Sequence, residues 1–223
     1  MKGTKRRTSV SHIVRLVFAG IALISESCLE ENTYPSLVSD FVCMQTDDDG
    51  TPLSLITDEG ITYTVELTDT YIHNNDPLPS YVADTVYRVA AMFEPDTEES
   101  RCLLYDMTTI YSKVPVPLTG DMTPAYDPVY MQSIRKSGSY LNIIVQLLSL
   151  NGEHHLGVFD TTEEGAAGVD LTLLHKNVDD AESYRQSIYM SIPLEKYHLL
   201  KGDTVRFHAN VYNEGMRCWE IVY

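Results

Sequence analysis

The feature that most limits what this chain can become is a period of two. From Leu37 onward, apolar and polar residues alternate in short runs, and no window sustains the 3.6-residue period of a helix. Ile61, Tyr63, Val65 and Leu67 fall on one side of their run, and Val169, Leu171, Leu173 and His175 do the same later. Residues two apart share a face of a strand, so each run asks for a sheet with one face covered. The expected fold class is all-β.

The spacing of the turns divides those runs into two groups. Ser36 to Thr46, Thr51 to Thr57, Ile61 to Leu67, Asp84 to Phe93 and Arg101 to Tyr111 read as five strands. The first three are joined by Asp47-Asp48-Asp49-Gly50 and by Asp58-Glu59-Gly60, both turn clusters. The longest break, residues 68–83, contains Asn74, Asn75, Pro77 and Pro79 and reads as a long loop. That rhythm matches an N-terminal OB-like five-stranded barrel over 37–111. Residues 112–128 hold Pro115, Pro117, Pro124, Pro128 and Gly120, and mark a proline-rich linker. Beyond it, over 129–223, come Val129 to Arg135, Tyr140 to Leu150, His154 to Asp160, Val169 to Lys176, Gln186 to Pro193, Asp203 to Asn213 and Met216 to Val222. Asn151-Gly152 between two of these runs is a hairpin signal. Asp179 to Arg185 reads as one helical turn or a polar loop. Short strands separated by regular turns indicate a C-terminal antiparallel β-sandwich.

The N-terminus reads as an address. Lys2, Lys5, Arg6, Arg7 and Arg15 precede the apolar run Leu16 to Ile24, which is too short to span a bilayer, and Ser25, Glu26 and Ser27 lead to Cys28. Residues 1–27 are expected to be a signal peptide and 28–36 a tether. Either an ordinary signal or a lipoprotein signal fits a cut before Cys28, and lipidation of Cys28 is the preferred reading, since a free thiol there is an oxidation liability. Ser25 and Glu26 depart from the usual residues before a lipidated cysteine, while Leu29-Glu30-Glu31 resembles the acidic tract of surface lipoproteins in the Bacteroidota. The remainder then carries 11 Lys and Arg against 31 Asp and Glu, a formal charge of −20. A surface so acidic repels nucleic acid, whose phosphates are bound by Lys and Arg, and does not adsorb to anionic lipid. Membrane contact is expected through the lipid alone. Among the other cysteines, either Cys43 pairs with Cys102 and leaves Cys218 free, or all three are buried thiols.

Few residues suggest chemistry. His154 and His155 are adjacent on a strand and point to opposite faces, so a metal site needs His175 or His208 from a neighbouring strand; the alternative is a polar hairpin shoulder. Asp47 to Gly50 lacks the spaced ligands of a calcium loop and reads as a solvated turn, and Glu94 to Ser100 reads as a charged loop. Glu220 comes nearest to an acid in an apolar run, but alternation sets it opposite Trp219 on an edge strand. No nucleophile elbow, phosphate loop or metal-binding helix is present. No metal or other cofactor is expected, and the chain reads as not an enzyme. Of fifteen tyrosines, Tyr71, Tyr81 and Tyr126 fall in expected loops and are the candidate ligand contacts.

Several stretches carry a family resemblance: Asp127-Pro128-Val129, Ser139 to Ile143, Leu156-Gly157-Val158, Leu171 to Lys176, Asp179 to Arg185 and, in the first half, Thr108 to Tyr111. In that order they resemble the NigD-like lipoproteins of the Bacteroidota. The resemblance implies an OB-like domain before a β-sandwich and an outer-membrane lipoprotein facing the periplasm or the cell surface. The family's name comes from a gene in a bacteriocin locus, which suggests immunity, and the resemblance brings no catalytic residues. The expected function is a non-enzymatic binding or assembly module with a protein, peptide or glycan partner. The alternative is an immunity protein binding a cationic peptide, with glycan processing a more distant third.

Overall fold

Met44, Leu55, Phe93 and Leu104 are sealed from solvent, and the strands that carry them close into a barrel. The computed structural model describes residues 36–120 and 123–223. The expected signal peptide, Cys28 and nearly all of the tether lie outside them. The barrel strands are β1 (Val38–Thr46), β2 (Pro52–Ile56), β3 (Thr62–Leu67), β4 (Val86–Asp96) and β5 (Arg101–Thr109), closed in the order β1-β2-β3-β5-β4. β3 and β5 pair in parallel and the other pairs are antiparallel. This is the expected OB-like barrel. Cys102 points into its core, whereas Cys43 faces outward at a register position between buried Val42 and Met44; both are free thiols.

The expected loop after β3 begins instead with a helix, α1 (Asp69–Asn74). Thr68 caps it and ties it to the barrel: its hydroxyl accepts from the Tyr71 amide at 3.1 Å and donates to the Leu104 carbonyl of β5 at 2.7 Å. A side-chain oxygen at that position satisfies an amide that a helix otherwise leaves unpaired. Six residues are too few for a periodic signal, so only the cap was there to be read.

The second half has two layers. One sheet runs β13-β12-β10-β9-β6 and the other β11-β8-β7. Their strands are β6 (Val116–Pro117), β7 (Tyr130–Ser137), β8 (Tyr140–Ser149), β9 (Glu153–Asp160), β10 (Val169–Val178), β11 (Tyr184–Pro193), β12 (Thr204–Val211) and β13 (Gly215–Val222). Leu141, Ile143, Val145 and Leu147 of β8 meet Leu171 and Leu173 of β10 and Phe207 of β12 between the layers. Alternation thus sets the buried face as the sequence indicates.

Two connections differ from the sequence reading. Asn151-Gly152 does not close a hairpin, because β8 pairs with β7 and β11 while β9 pairs with β10 and β6. It forms an arch that carries the chain from one layer to the other. The proline-rich segment, for its part, is tied into the larger sheet. β6 lines the free side of β9. Further on, β10 and β12 pair in parallel only over Val169–Thr172 and Val205–His208 and then separate. The stretch around Ala125 to Val129 fills the space between them: Asp127 donates its amide to the His175 carbonyl at 2.9 Å, and Val129 donates to Asn210 at 2.9 Å. Prolines suit such a strap, since they interrupt regular pairing while single residues still make ladder bonds.

The barrel rests on the outer side of the three-stranded sheet. Phe41 meets Tyr189 with ring centroids 6.2 Å apart, Asp40 pairs with Arg135, and the Tyr111 carbonyl accepts from the Ser191 amide at 2.9 Å.

Candidate functional site

Three polar clusters stand out, and their surroundings separate support from opportunity. The first is at the barrel–sandwich junction. Arg88 of β4 lies among apolar neighbours, and its side chain is 4% exposed beside that of Asp58 at 2%. Its Nη1 meets Asp58 Oδ1 at 2.6 Å, Nη2 donates to Asp58 Oδ2 at 2.9 Å and Nε donates to Ser191 Oγ at 2.8 Å. Asn142 donates to Asp58 Oδ2 at 3.0 Å and accepts from Ser191 Oγ at 2.6 Å, while the Tyr140 ring lies 3.9 Å beneath the guanidinium. Asp58 Oδ1 is held by the charge of Arg88 without a hydrogen bond, while Asp58 Oδ2, Asn142, Ser191 and the other guanidinium nitrogens are hydrogen-bonded, as a buried charge requires. The cluster ties the barrel to the sandwich. A lone arginine between Tyr87 and Val89 was the legible sign of it.

The second cluster closes the arch. Asp180 accepts from Ser149 Oγ at 2.6 Å and from the Leu150 amide at 3.0 Å, and it faces His154 Nε2 at 3.0 Å. These donors, Ser149 first, bring its carboxyl down to about 2. A Cβ on Gly152 would sit 2.4 Å from the Asp180 side chain, so glycine is needed at this turn for room. His154 also meets His175 of β10, Nδ1 to Nε2 at 2.9 Å, and His175 Nδ1 lies 3.0 Å from the Asp127 carbonyl. Burial lowers the proton affinity of His175. His155 points the other way, as alternation requires, and is exposed beside Glu153 at 3.3 Å. The sequence rule thus separates the adjacent pair correctly, and the neighbouring strand supplies the partner. Among the described residues, no group of three or more His, Cys, Asp and Glu side chains is placed to hold a metal ion.

The third cluster lies on the outer face of the larger sheet. Asp170 of β10 accepts from Arg206 Nε at 2.8 Å and from its Nη2, and it faces His208 Nε2 at 2.9 Å. Arg206 above all, then His208, holds the Asp170 carboxyl below its ordinary range. Thr161 and Thr172 share a hydrogen bond of 2.8 Å beside them. With Tyr126, Glu163, Ala166 and Met216 they line a groove of about 490 Å³. Tyr126 is 39% exposed, and its placement follows from the strap, which seats Tyr126 opposite His175.

Of the three candidate tyrosines, only Tyr126 reaches this groove. Tyr71 is a correction: it lies in α1, not a loop, and the Thr68 cap turns it into the barrel core. Tyr81 is half-buried against that same core, its ring 5.1 Å from Tyr87. The Asp47 carboxylate is occupied by the amides of Asp49 and Thr51, at 3.0 and 2.7 Å, and so shapes its own turn.

Cys218 lies beside the groove's His208 and Asp170, without the geometry of a nucleophilic relay. His208 uses one nitrogen, Nε2, toward both Asp170 at 2.9 Å and Cys218 Sγ at 4.0 Å, whereas a relay needs opposite nitrogens for base and orienter. Burial and the nearby acids also push the Cys218 thiol up, away from the thiolate.

Comparison with known proteins gives a consistent result. Residues 115–223 match the model of the NigD-like C-terminal beta sandwich domain. The chain is similar to a NigD-like immunity protein from Bacteroides caccae, at 25% identity and a TM-score of 0.67 over 84% of this chain and 92% of that one. A protein from Parabacteroides distasonis, described as a candidate toxin-related protein, shares the fold at 15% identity and a TM-score of 0.65, covering 84% and 93%. So does a candidate lipoprotein from Bacteroides fragilis, at 15% identity and a TM-score of 0.56 over 85% and 98%. Among curated proteins, none matches the chain. Residues 115–223 therefore carry a NigD-like C-terminal β-sandwich domain, and the barrel-plus-sandwich fold as a whole is shared with a NigD-like immunity protein.

Proposed function

We propose that the protein is a non-enzymatic binding module of the cell envelope, held at the outer membrane by a lipid on Cys28, and that it receives its partner in the groove of Tyr126, Asp170, Arg206 and His208. The observation that carries this is the groove itself. It offers an exposed aromatic ring, a carboxylate, a guanidinium and two hydroxyls over about 490 Å³, without a relay among them. Tyrosine supplies an apolar face with a polar tip, and fixed polar groups beside it give orientation. The formal charge of −16 for the whole chain favours a cationic partner by long-range attraction.

A second reading is immunity, in which the same surface intercepts a cationic antibacterial peptide. Its specific support is the name of the Bacteroides caccae relative. Binding of the purified protein to cationic peptides and neutral oligosaccharides, at low and raised salt, separates the two. A salt-sensitive peptide signal lost in Tyr126→Ala supports peptide capture, and a salt-insensitive oligosaccharide signal lost in the same variant supports glycan binding. Binding by both probes that Tyr126→Ala leaves intact sinks the groove. The anchor is tested separately: Cys28→Ser releases the protein from the membrane fraction.

A further inference from the structure

The contacts of His154 and His175 count their own protons. Three hydrogen bonds run in a line: Asp180 Oδ2 to His154 Nε2 at 3.0 Å, His154 Nδ1 to His175 Nε2 at 2.9 Å, and His175 Nδ1 to the Asp127 carbonyl at 3.0 Å. The ring centroids are 5.1 Å apart with planes 19° apart, the arrangement of two rings meeting edge to edge along an N–H···N line. A carboxylate at one end and a carbonyl at the other only accept. Both end contacts therefore need an N–H, and the middle contact needs one more. Two neutral imidazoles carry one N–H each and fall short by one.

We propose that His154 and His175 together hold one proton beyond two neutral rings, and that this proton fastens the strap carrying Tyr126 to the arch between the two sheets. The proton belongs on His154, whose two N–H groups then donate to Asp180 and to His175. His175 stays neutral and donates Nδ1–H to the Asp127 carbonyl. Burial disfavours charge on His175, in keeping with that assignment. Asp180 is the matching anion, and its other donors, Ser149 Oγ and the Leu150 amide, leave it no proton to give. The charged side chains lining the hollow outside His175 are Asp127, Asp179, Asp180 and Glu182, all acidic, and Tyr212 lines it as a neutral phenol. On the same strand as His154, Glu153 and His155 pair with each other on the exposed side. These four acids favour a cation beside them, against the opposing charge of Lys176, which with His155 lines the other hollow at His175.

The line joins four stretches of chain, the segment of Asp180 after β10, β9, β10 itself and the strap, and Asp180 ties the arch to it through Ser149 and Leu150. Losing the proton leaves one of the three contacts without a hydrogen. Adding another sets N–H against N–H between the rings. The tie is complete only in the singly charged state, so it is weakened at both ends of the pH range.

Imidazole ¹⁵N–¹H correlation spectra of the uniformly ¹⁵N-labelled full chain test this directly. At pH 7 the expected result is His154 protonated on both nitrogens and His175 on Nδ1 alone. Two neutral rings at pH 7, each with a single N–H, overturn the proposal. Amide exchange supplies a second measurement. When the pair loses its proton, protection factors of Asp127 and Asn177 fall by roughly tenfold, the scale of one hydrogen bond. Unchanged protection across that titration overturns the role assigned to the strap. Neither measurement uses a ligand, so failure here is distinguishable from failure of the groove reading.

Discussion

Two of the arginine–aspartate pairs have the same chemistry in different surroundings. Arg88 and Asp58 are 4% and 2% exposed and are enclosed by Asn142, Ser191, Cys43 and Tyr140 at the junction of barrel and sandwich. Arg206 and Asp170 are 26% and 19% exposed and face an open groove. Taking a charge out of water is costly and is repaid only where every lone pair and proton finds a partner. The junction comes close to that condition with side chains from barrel and sandwich, Asp58 Oδ1 alone being held by charge without a hydrogen bond, so the pair is committed to holding the two together. The groove pair keeps contact with solvent, and its partners can be exchanged for a ligand's at small cost. Burial, more than residue type, decides which pair is structure and which is available.

The largest effect expected from this contrast is at Arg88. Removing one partner strands a buried carboxylate, so Arg88→Ala should cost about 3–5 kcal/mol in urea denaturation. The double variant Arg88→Met with Asp58→Leu removes both charges and should lose less than Arg88→Ala alone. A single-variant loss below about 1 kcal/mol, the scale of a surface pair, would erase the distinction.

Next is the arch, where the carboxylate of Asp180, its side chain 4% exposed, supports structure. Its carboxyl sits at about 2 in the folded chain, below the ordinary value of about 3.9 for the unfolded one. The unfolded state therefore binds the proton first on acidification. The stabilisation is fully present above the ordinary value and is lost as pH falls through about 2. Asp180→Asn cannot titrate there, so the fall in stability between about pH 4 and pH 2 should be shallower than in the parent chain, followed by urea midpoints at fixed pH. Equal slopes would place the acid sensitivity elsewhere.

The period of two made the fold legible because a strand covered on one face alternates, as with buried Val205, Phe207 and Ala209 against half-buried Arg206, His208 and Asn210. It also set His154 and His155 on opposite sides. Pairing partners are a different kind of information. Asn151-Gly152 gives the same local turn whether the next strand stays in its sheet or leaves it, and only Asp180, well along the chain, decides for the arch. Likewise, proline content shows where regular pairing stops. It does not reveal that Asp127 and Val129 still bond to β10 and β12. The groove was legible only through Tyr126. Asp170, Arg206 and His208 come together from two strands paired in parallel, and the separation of those strands in sequence hides the match.

The smallest effect is at the exposed pair, where it is also the most informative. Arg206→Ala removes a guanidinium that bonds Asp170 and the Ala167 carbonyl, groups that water can reach once it is gone. The thermal midpoint should remain within experimental error of the parent chain. The Asp170 carboxyl should nevertheless rise toward its ordinary range, since Arg206 is the main cause of its lowering, and carboxyl ¹³C shifts followed through an acid titration report this site alone. A midpoint loss as large as that of Arg88→Ala would show that Arg206 is structural, which would remove it from the groove's binding set. An unchanged midpoint with a raised Asp170 leaves the pair where the contrast puts it: held loosely enough to exchange Arg206 for a cationic group of a partner.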